Sequence, residues 1–149
     1  MPDKELHFRR LERMYAAAPT NRYFRPVMTV GEGRATVRMT VREEFFHAGN
    51  AVHGSIVFKL LDDAAFFAAN SLVDDTFLFT VSFNLYFLRP VTEGELRAEG
   101  RVAHRSKRLL IADSEVLDEQ GRPVARGSGS FLPSNMALDE KVGYCRDDI

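Results

Sequence analysis

The chain has 149 residues, a formal net charge of -1, 45% hydrophobic and 28% charged residues. That length predicts one compact domain across residues 1–149, with a core large enough to hold without disulfides or a structural metal. The near-neutral charge excludes a nucleic-acid partner bound by phosphate neutralisation, and the lone Cys145 has no internal disulfide partner and no local signature of a nucleophile. The aromatic content is uneven, with 12 Phe, 4 Tyr and no Trp.

Asp3, Lys4 and Glu5 come at once, with no apolar run behind them, so the expectation is a cytoplasmic protein without a secretory signal. No stretch approaches the ~20 apolar residues that span a bilayer, and no membrane partner is expected. Residues 4–18 predict an amphipathic helix, with Phe8, Leu11, Met14, Tyr15 and Ala18 on one stripe and Arg9, Arg10 and Arg13 largely outside it. A helix packed on the domain and a membrane-surface helix both fit, and Glu5 and Glu12 count against the second. A strand near 25–30 turns at Gly31 and Gly33 into a strand over 34–41, where Ala35, Val37, Met39 and Val41 alternate with polar residues.

A long helix follows at about 54–72, apolar nearly all round, with a narrow polar stripe of Lys59, Asp63 and Asn70. Residues 77–88 then alternate, which puts Phe77, Phe79, Val81, Phe83, Leu85 and Phe87 on one strand face and Thr80, Ser82, Asn84 and Tyr86 on the other. After Pro90 and Gly94, strands are predicted at 95–104, 108–117 and 122–132. The chain then becomes a polar tail over about 135–149, expected to be loose. One helix followed by four strands with short polar turns predicts an α+β fold, an antiparallel sheet wrapped around one long central helix.

The adjacent Asp62 and Asp63 differ physically, because a helix turns by about 100° between them. Asp63 lies four residues after Lys59, which reads as a solvated i,i+4 pair. Asp62 lies at the rim of the apolar face among Phe58, Ala65, Phe66 and Ala69, where a charge costs free energy unless it is hydrogen-bonded or useful. A functional carboxylate and a buried aspartate paired with a loop or an arginine both fit that position. Ahead of the helix stands His47-Ala-Gly-Asn50-Ala-Val-His53-Gly54. Gly54 at a helix start lets a ligand approach the backbone, and first-turn N–H groups are free donors that can polarise a carbonyl. Two histidines six apart in a loop, without a third ligand at a recognisable spacing, do not make a metal site. There is no G-x-S-x-G elbow, phosphate loop or dinucleotide-binding glycine pattern.

The run Val52-His53-Gly54-Ser55, with Asp62-Asp63-Ala64-Ala65 on the helix behind it and Tyr86-Phe87-Leu88-Arg89-Pro90 later, resembles the hotdog-fold acyl-CoA thioesterases. In particular it is similar to their phenylacetate-degradation branch, with its His-Gly-Gly and Leu-x-Asp-x-Ala signature. The resemblance covers about residues 24–133. It implies a hotdog fold, hydrolysis of acyl-CoA thioesters, and a homodimer with active sites at the interface, possibly assembled further into a tetramer. No cofactor is implied beyond the coenzyme A carried by the substrate, and no metal.

By the same resemblance Asp62 matches the catalytic acid, Gly54 the amide that binds the thioester oxygen and His53 the supporting motif histidine. Thr80 matches a hydroxyl that places water, with Ser82 as the alternative if the register shifts. His47 stands where relatives carry a water-holding asparagine, and Ser55 replaces the second motif glycine. Asn50, Ser55, Phe66 and Ser82 are the implied substrate contacts. The basic turn around Arg105, Ser106 and Lys107 resembles the turn that meets the nucleotide end of coenzyme A. A basic turn that keeps a sheet edge soluble reads equally well there. Two other readings stand beside the thioesterase: an acyl-ligand binding protein without turnover, and a hotdog dehydratase or hydratase.

Overall fold

A helix that is apolar on most sides needs cover on most sides, and the rest of the chain is arranged to supply it. The computed structural model describes residues 3–144. In chain order they form α1 (Lys4–Ala17), α2 (Asn21–Phe24), β1 (Val27–Gly31), β2 (Arg34–Thr40), a 3-10 turn at Glu43–Phe45, α3 (Gly54–Asn70), β3 (Thr76–Phe87), β4 (Glu95–Arg105), β5 (Leu110–Leu117), β6 (Pro123–Ala137) and a second 3-10 turn at Glu140–Val142. The six strands make one antiparallel sheet in the order β1-β2-β4-β5-β6-β3. It wraps around α3 as the sequence predicts.

The small residues of α3 set how closely helix and sheet approach. Ala64, Ala65, Ala68 and Ala69 are fully buried. Opposite them on β4 stands Gly100, where a Cβ would overlap the backbone carbonyl of Ala64. Inward residues of β2 and β4 (Ala35, Val37, Met39, Leu96, Ala98) close the same layer.

Helix α1 packs its apolar stripe on the domain, burying Phe8, Leu11, Met14 and Tyr15, with Asp3 capping its first turn. It also covers the free edge of β1: Arg9 donates to the Val30 carbonyl at 2.8 Å, and the Val30 N–H donates to Glu12 at 2.8 Å. An edge strand so covered offers no template for further pairing. The other edge, β3, is different. Its twelve residues contain no charge and no proline, and Phe79, Val81 and Tyr86 are exposed.

Four expectations need correction. First, β3 does not present its phenylalanines on one face. Its pairing with β6 shifts at two bulges: between Thr76 and Leu78 the extra residues lie on β6, and between Thr80 and Ser82 the extra residue, Val81, lies on β3 and reverses its alternation. Leu78 is therefore buried while Phe79 is exposed, and beyond the second bulge Phe83 turns in to meet Phe58 at 5.5 Å between ring centroids. Second, Asn70 is not on a wet stripe. It is fully buried, donates to the carbonyls of Val73 and Thr76, and accepts from the Leu78 N–H, tying the end of α3 to the start of β3.

Third, Asp63 is largely covered rather than solvated, because α1 lies over it. Fourth, the described part of the C-terminal segment is not loose: β6 runs to Ala137 and the chain folds back onto α1. There His7 Nε2–H donates to the Asn70 carbonyl, so Nδ1 is left to accept the Tyr144 hydroxyl at 2.7 Å. Burial lowers the His7 pKa and favours that neutral ring. Cys145 and the rest of the expected tail lie outside the described residues.

If Gly100 sets the distance between α3 and the sheet, Gly100→Ala destabilises the fold by about 1–3 kcal/mol, the usual range for overpacking. Urea denaturation reads this directly, and an unchanged midpoint would mean the helix stands further off.

Candidate active site

Asp62 projects from the middle of α3 toward β3, where Thr80 Oγ1 donates to its Oδ1 at 2.8 Å. The second bulge of β3 makes this contact possible: Thr80 shares the inward side with Leu78 immediately before the reversal. Ser82, beyond the bulge, is exposed and does not reach the carboxylate. Burial pushes the Asp62 pKa up to about 6. The Thr80 hydrogen bond opposes that rise, the Asp63 charge adds to it and the Lys59 charge reduces it.

An apolar cleft of about 660 Å³ opens beside this carboxylate. Phe66, Phe67, Phe77 and Phe79 form one side of it, and Met14 of α1 and Gly143 of the C-terminal turn another. Phe66 is both core and lining. Its ring packs on Phe67 and Phe77 at 5.1 Å and on Phe131 at 5.8 Å between centroids, and its edge borders the cleft.

The start of α3 is a second polar centre. His53 is the N-cap, its Nδ1 accepting from the Ser55 N–H at 3.0 Å and lying 2.7 Å from the Ser55 hydroxyl. Acceptance at Nδ1 puts the proton of the neutral ring on Nε2. The N–H groups of Ile56 and Val57 go to the His53 carbonyl. Among the described residues the Gly54 N–H is the first-turn donor left without a protein partner. Gly54 also makes room for Phe87, whose Cζ would lie 3.0 Å from a Cβ placed there. His47 and Asn50 sit in the exposed loop just before. His47 Nδ1 accepts from the Gly49 N–H, Asn50 adopts φ 65°, and the His47 and His53 rings are 6.3 Å apart.

The structure thus joins Asp62 with Thr80 and Phe66, and gathers His47, Asn50, His53, Gly54 and Ser55 at the helix start. It does not merge the two groups within one chain, since eight residues of helix separate Gly54 from Asp62 by about 12 Å along the axis. Nor does it bring the basic turn to either group. Arg105 donates to the Leu72 carbonyl at the far end of α3, Ser106 bonds Leu109 inside the turn, and Lys107 is exposed.

Sequence reasoning missed Tyr15 and Lys59 as neighbours of the site. The Tyr15 hydroxyl donates to Asp63 Oδ2 at 2.6 Å, and Lys59 Nζ donates to the same oxygen at 2.8 Å. The available signal was a hydroxyl inside the apolar stripe of α1, which does not reveal a partner 48 residues away.

This constellation, a half-buried carboxylate at an apolar cleft and a free amide at a helix start on a hotdog scaffold, suits acyl transfer to water. Residues 49–125 match the family model described as the thioesterase superfamily, and the chain belongs to that superfamily. Membership carries a thioesterase-type hydrolase function. Among curated proteins the chain is 31% identical to the acyl-coenzyme A thioesterase PaaI of Escherichia coli over 100 residues, 66% of this chain and 70% of that one. Among solved structures, the E. coli PaaI protein from the phenylacetic acid degradation operon superposes with a TM-score of 0.82 at 24% identity, covering 90% of this chain and 97% of that one. A conserved protein of Pseudomonas aeruginosa gives a TM-score of 0.75 at 28% identity over 82% and 98% of the two chains. No helix among the described residues is long and apolar enough to cross a membrane.

The raised pKa of Asp62 has a consequence for stability. Its folded value of about 6 lies above the ordinary 3.8. The contribution of the protonated form is therefore complete below pH 3.8 and is lost as pH rises through 6. Asp62→Asn removes that loss. At pH 8 the variant should melt about 2–4 °C higher than the parent, and the difference should shrink towards pH 4. A lower melting temperature at pH 8 would show that the carboxylate is a structural partner instead.

Proposed function

We propose that the protein hydrolyses acyl-CoA thioesters to free acid and coenzyme A, in a site shared by two copies of the chain. The observation that carries this reading is Asp62: an ionisable group held by Thr80 at the mouth of an apolar cleft, with its pKa raised into the range useful for proton transfer. The acyl chain occupies the cleft. With Asp62 as general base, water attacks the thioester carbonyl while its proton passes to the carboxylate. The tetrahedral oxyanion is held by the Gly54 N–H at the positive end of α3. The C–S bond then breaks, and the proton returns from Asp62 to the departing thiolate. With Asp62 as nucleophile, its carboxylate attacks the carbonyl, the same amide holds the oxyanion, the C–S bond breaks to release the coenzyme A thiolate, and water then opens the acyl-aspartyl anhydride to free acid and Asp62.

Both routes need the amide and the carboxylate on one carbonyl, and the 12 Å or so of helix between them rules that out within one chain. A second copy removes the difficulty. The uncharged edge of β3 is suited to pairing with itself about a two-fold axis. If the axis passes between Phe83 and Asn84, Thr80 stands opposite the partner's Phe87. Asp62 is bound to Thr80, and Gly54 lies against Phe87, so the partner's Gly54 amide arrives beside Asp62. His53, Ser55, His47 and Asn50 would come with it, His53 offering Nε2–H. The basic turn stands at the end of α3, about 15 Å of helix beyond Asp62, a separation that an extended pantetheine arm spans. Arg105 and Lys107 there suit the nucleotide phosphates.

Release of free thiol from a panel of acyl-CoAs tests the reading. Turnover is expected on at least one member, and Asp62→Asn should lower it at least ~100-fold. Because Asp62 must be ionised to act, kcat/KM should be flat above pH 7 and fall about tenfold per unit below pH 6. Binding without turnover would make the protein an acyl-ligand carrier, and change of an enoyl absorbance would make it a hydratase. Either outcome overturns the proposal.

A further inference from the structure

On an α-helix, a lysine can reach carboxylates both three and four residues ahead. Lys59 therefore faces a choice between Asp62 and Asp63. In the structure the choice is made: Lys59 Nζ sits on Asp63 Oδ2 at 2.8 Å. The N-terminal segment enforces it. The Tyr15 hydroxyl of α1 donates to the same Asp63 oxygen at 2.6 Å. The Lys59 ammonium lies 5.5 Å from the centre of the Tyr15 ring and 5.3 Å from that of Phe24 in α2, both within cation–π range. The two charged side chains are only 16% and 17% exposed, so water screens the pair weakly.

We propose that Tyr15, Lys59 and Asp63 are positioning residues for Asp62. The first two helices hold the ammonium on Asp63, which leaves the Asp62 carboxylate without a cation partner among the described residues and free to take a proton. This rests on the reading of Asp62 as the reacting carboxylate. It gives α1 and α2, which lie outside the stretch spanned by the family match, a part in the reaction besides covering the core. The groups facing Asp62 are Asp63 and Lys59 on its own helix and Thr80 on β3. Tyr15 of α1 reaches it through Asp63, and Glu140 and Lys141 of the terminal turn line the same cleft. Burial raises the Asp62 pKa, the Asp63 charge adds to the rise, and Lys59 offsets part of it from its place on Asp63.

Opposite substitutions should move the acid limb of kcat/KM in opposite directions. In Asp63→Asn the ammonium loses its anion and Asp62 becomes the nearest one, so the limb should fall by ~1 pH unit. The plateau should drop with it, because the base is weaker. In Lys59→Met the Asp63 charge stands uncompensated, and the limb should rise. The double variant K59M/D63N removes both charges and should bring the limb back toward the parent value. Tyr15→Phe, which keeps the ring and the packing, should shift the limb in the same direction as Asp63→Asn and by less. A purely structural role would lower turnover in all of these without moving the limb, and that result overturns the proposal. Asp62→Asn run alongside separates the two levels. If it retains turnover, the assignment of Asp62 fails and the proposal with it. If it is inactive while the limb stays fixed in the other variants, only the positioning role fails.

Discussion

The constraint on which the structure depends is the burial of α3. An isolated helix of 17 residues is marginal in water, and this one is held by the sheet on its alanine face and by α1 on its remaining stripe. The same cover serves the proposed chemistry. A carboxylate exposed on a bare helix would be an ordinary surface acid. Asp62 lies under partial cover against β3, and the desolvation that destabilises its charge also makes it a stronger base. On the proposed reading, stability and reactivity at this position oppose each other.

The strands and the long helix were legible because their periodicities are clean. Ala35, Val37 and Met39 alternate without interruption, and so do Leu96 and Ala98. Asp62 was legible for the opposite reason, since a charge on an apolar rim breaks its pattern. The bulge of β3 at Val81 was not legible. TFLFTVSFNLYF alternates convincingly on paper, and nothing in its residue types announces where an extra residue will be inserted. That irregularity puts Thr80 rather than Phe79 on the side of Asp62. The Tyr15–Asp63–Lys59 cluster was hidden differently. The i,i+4 pair was visible, but its burial depended on a helix that returns from much earlier in the chain, and a contact of that range leaves no local trace.

The two edges of the sheet complete the account. The β1 edge is closed by side chains of α1 that take up its free backbone groups. The β3 edge is long, apolar and uncharged, as a surface intended for another strand would be. Helix geometry independently separates Gly54 from Asp62 by more than one carbonyl can bridge. On the proposed reading, the open edge and the split site share one solution, a two-fold pair in which each chain gives its amide to the other's carboxylate.

Complementation between two inactive chains tests that solution most directly. Gly54→Pro removes the amide donor at the first helical position, after a residue already in extended conformation, and requires the Phe87 ring, 3.0 Å from the Cβ position, to shift slightly. Asp62→Asn removes the base. Each variant alone should be inactive. When the two are co-expressed, half the dimers of a random mixture contain both, and each of those has one intact site, so about a quarter of the parent activity should return. Mixed dimers that form but stay inactive would contradict a shared site.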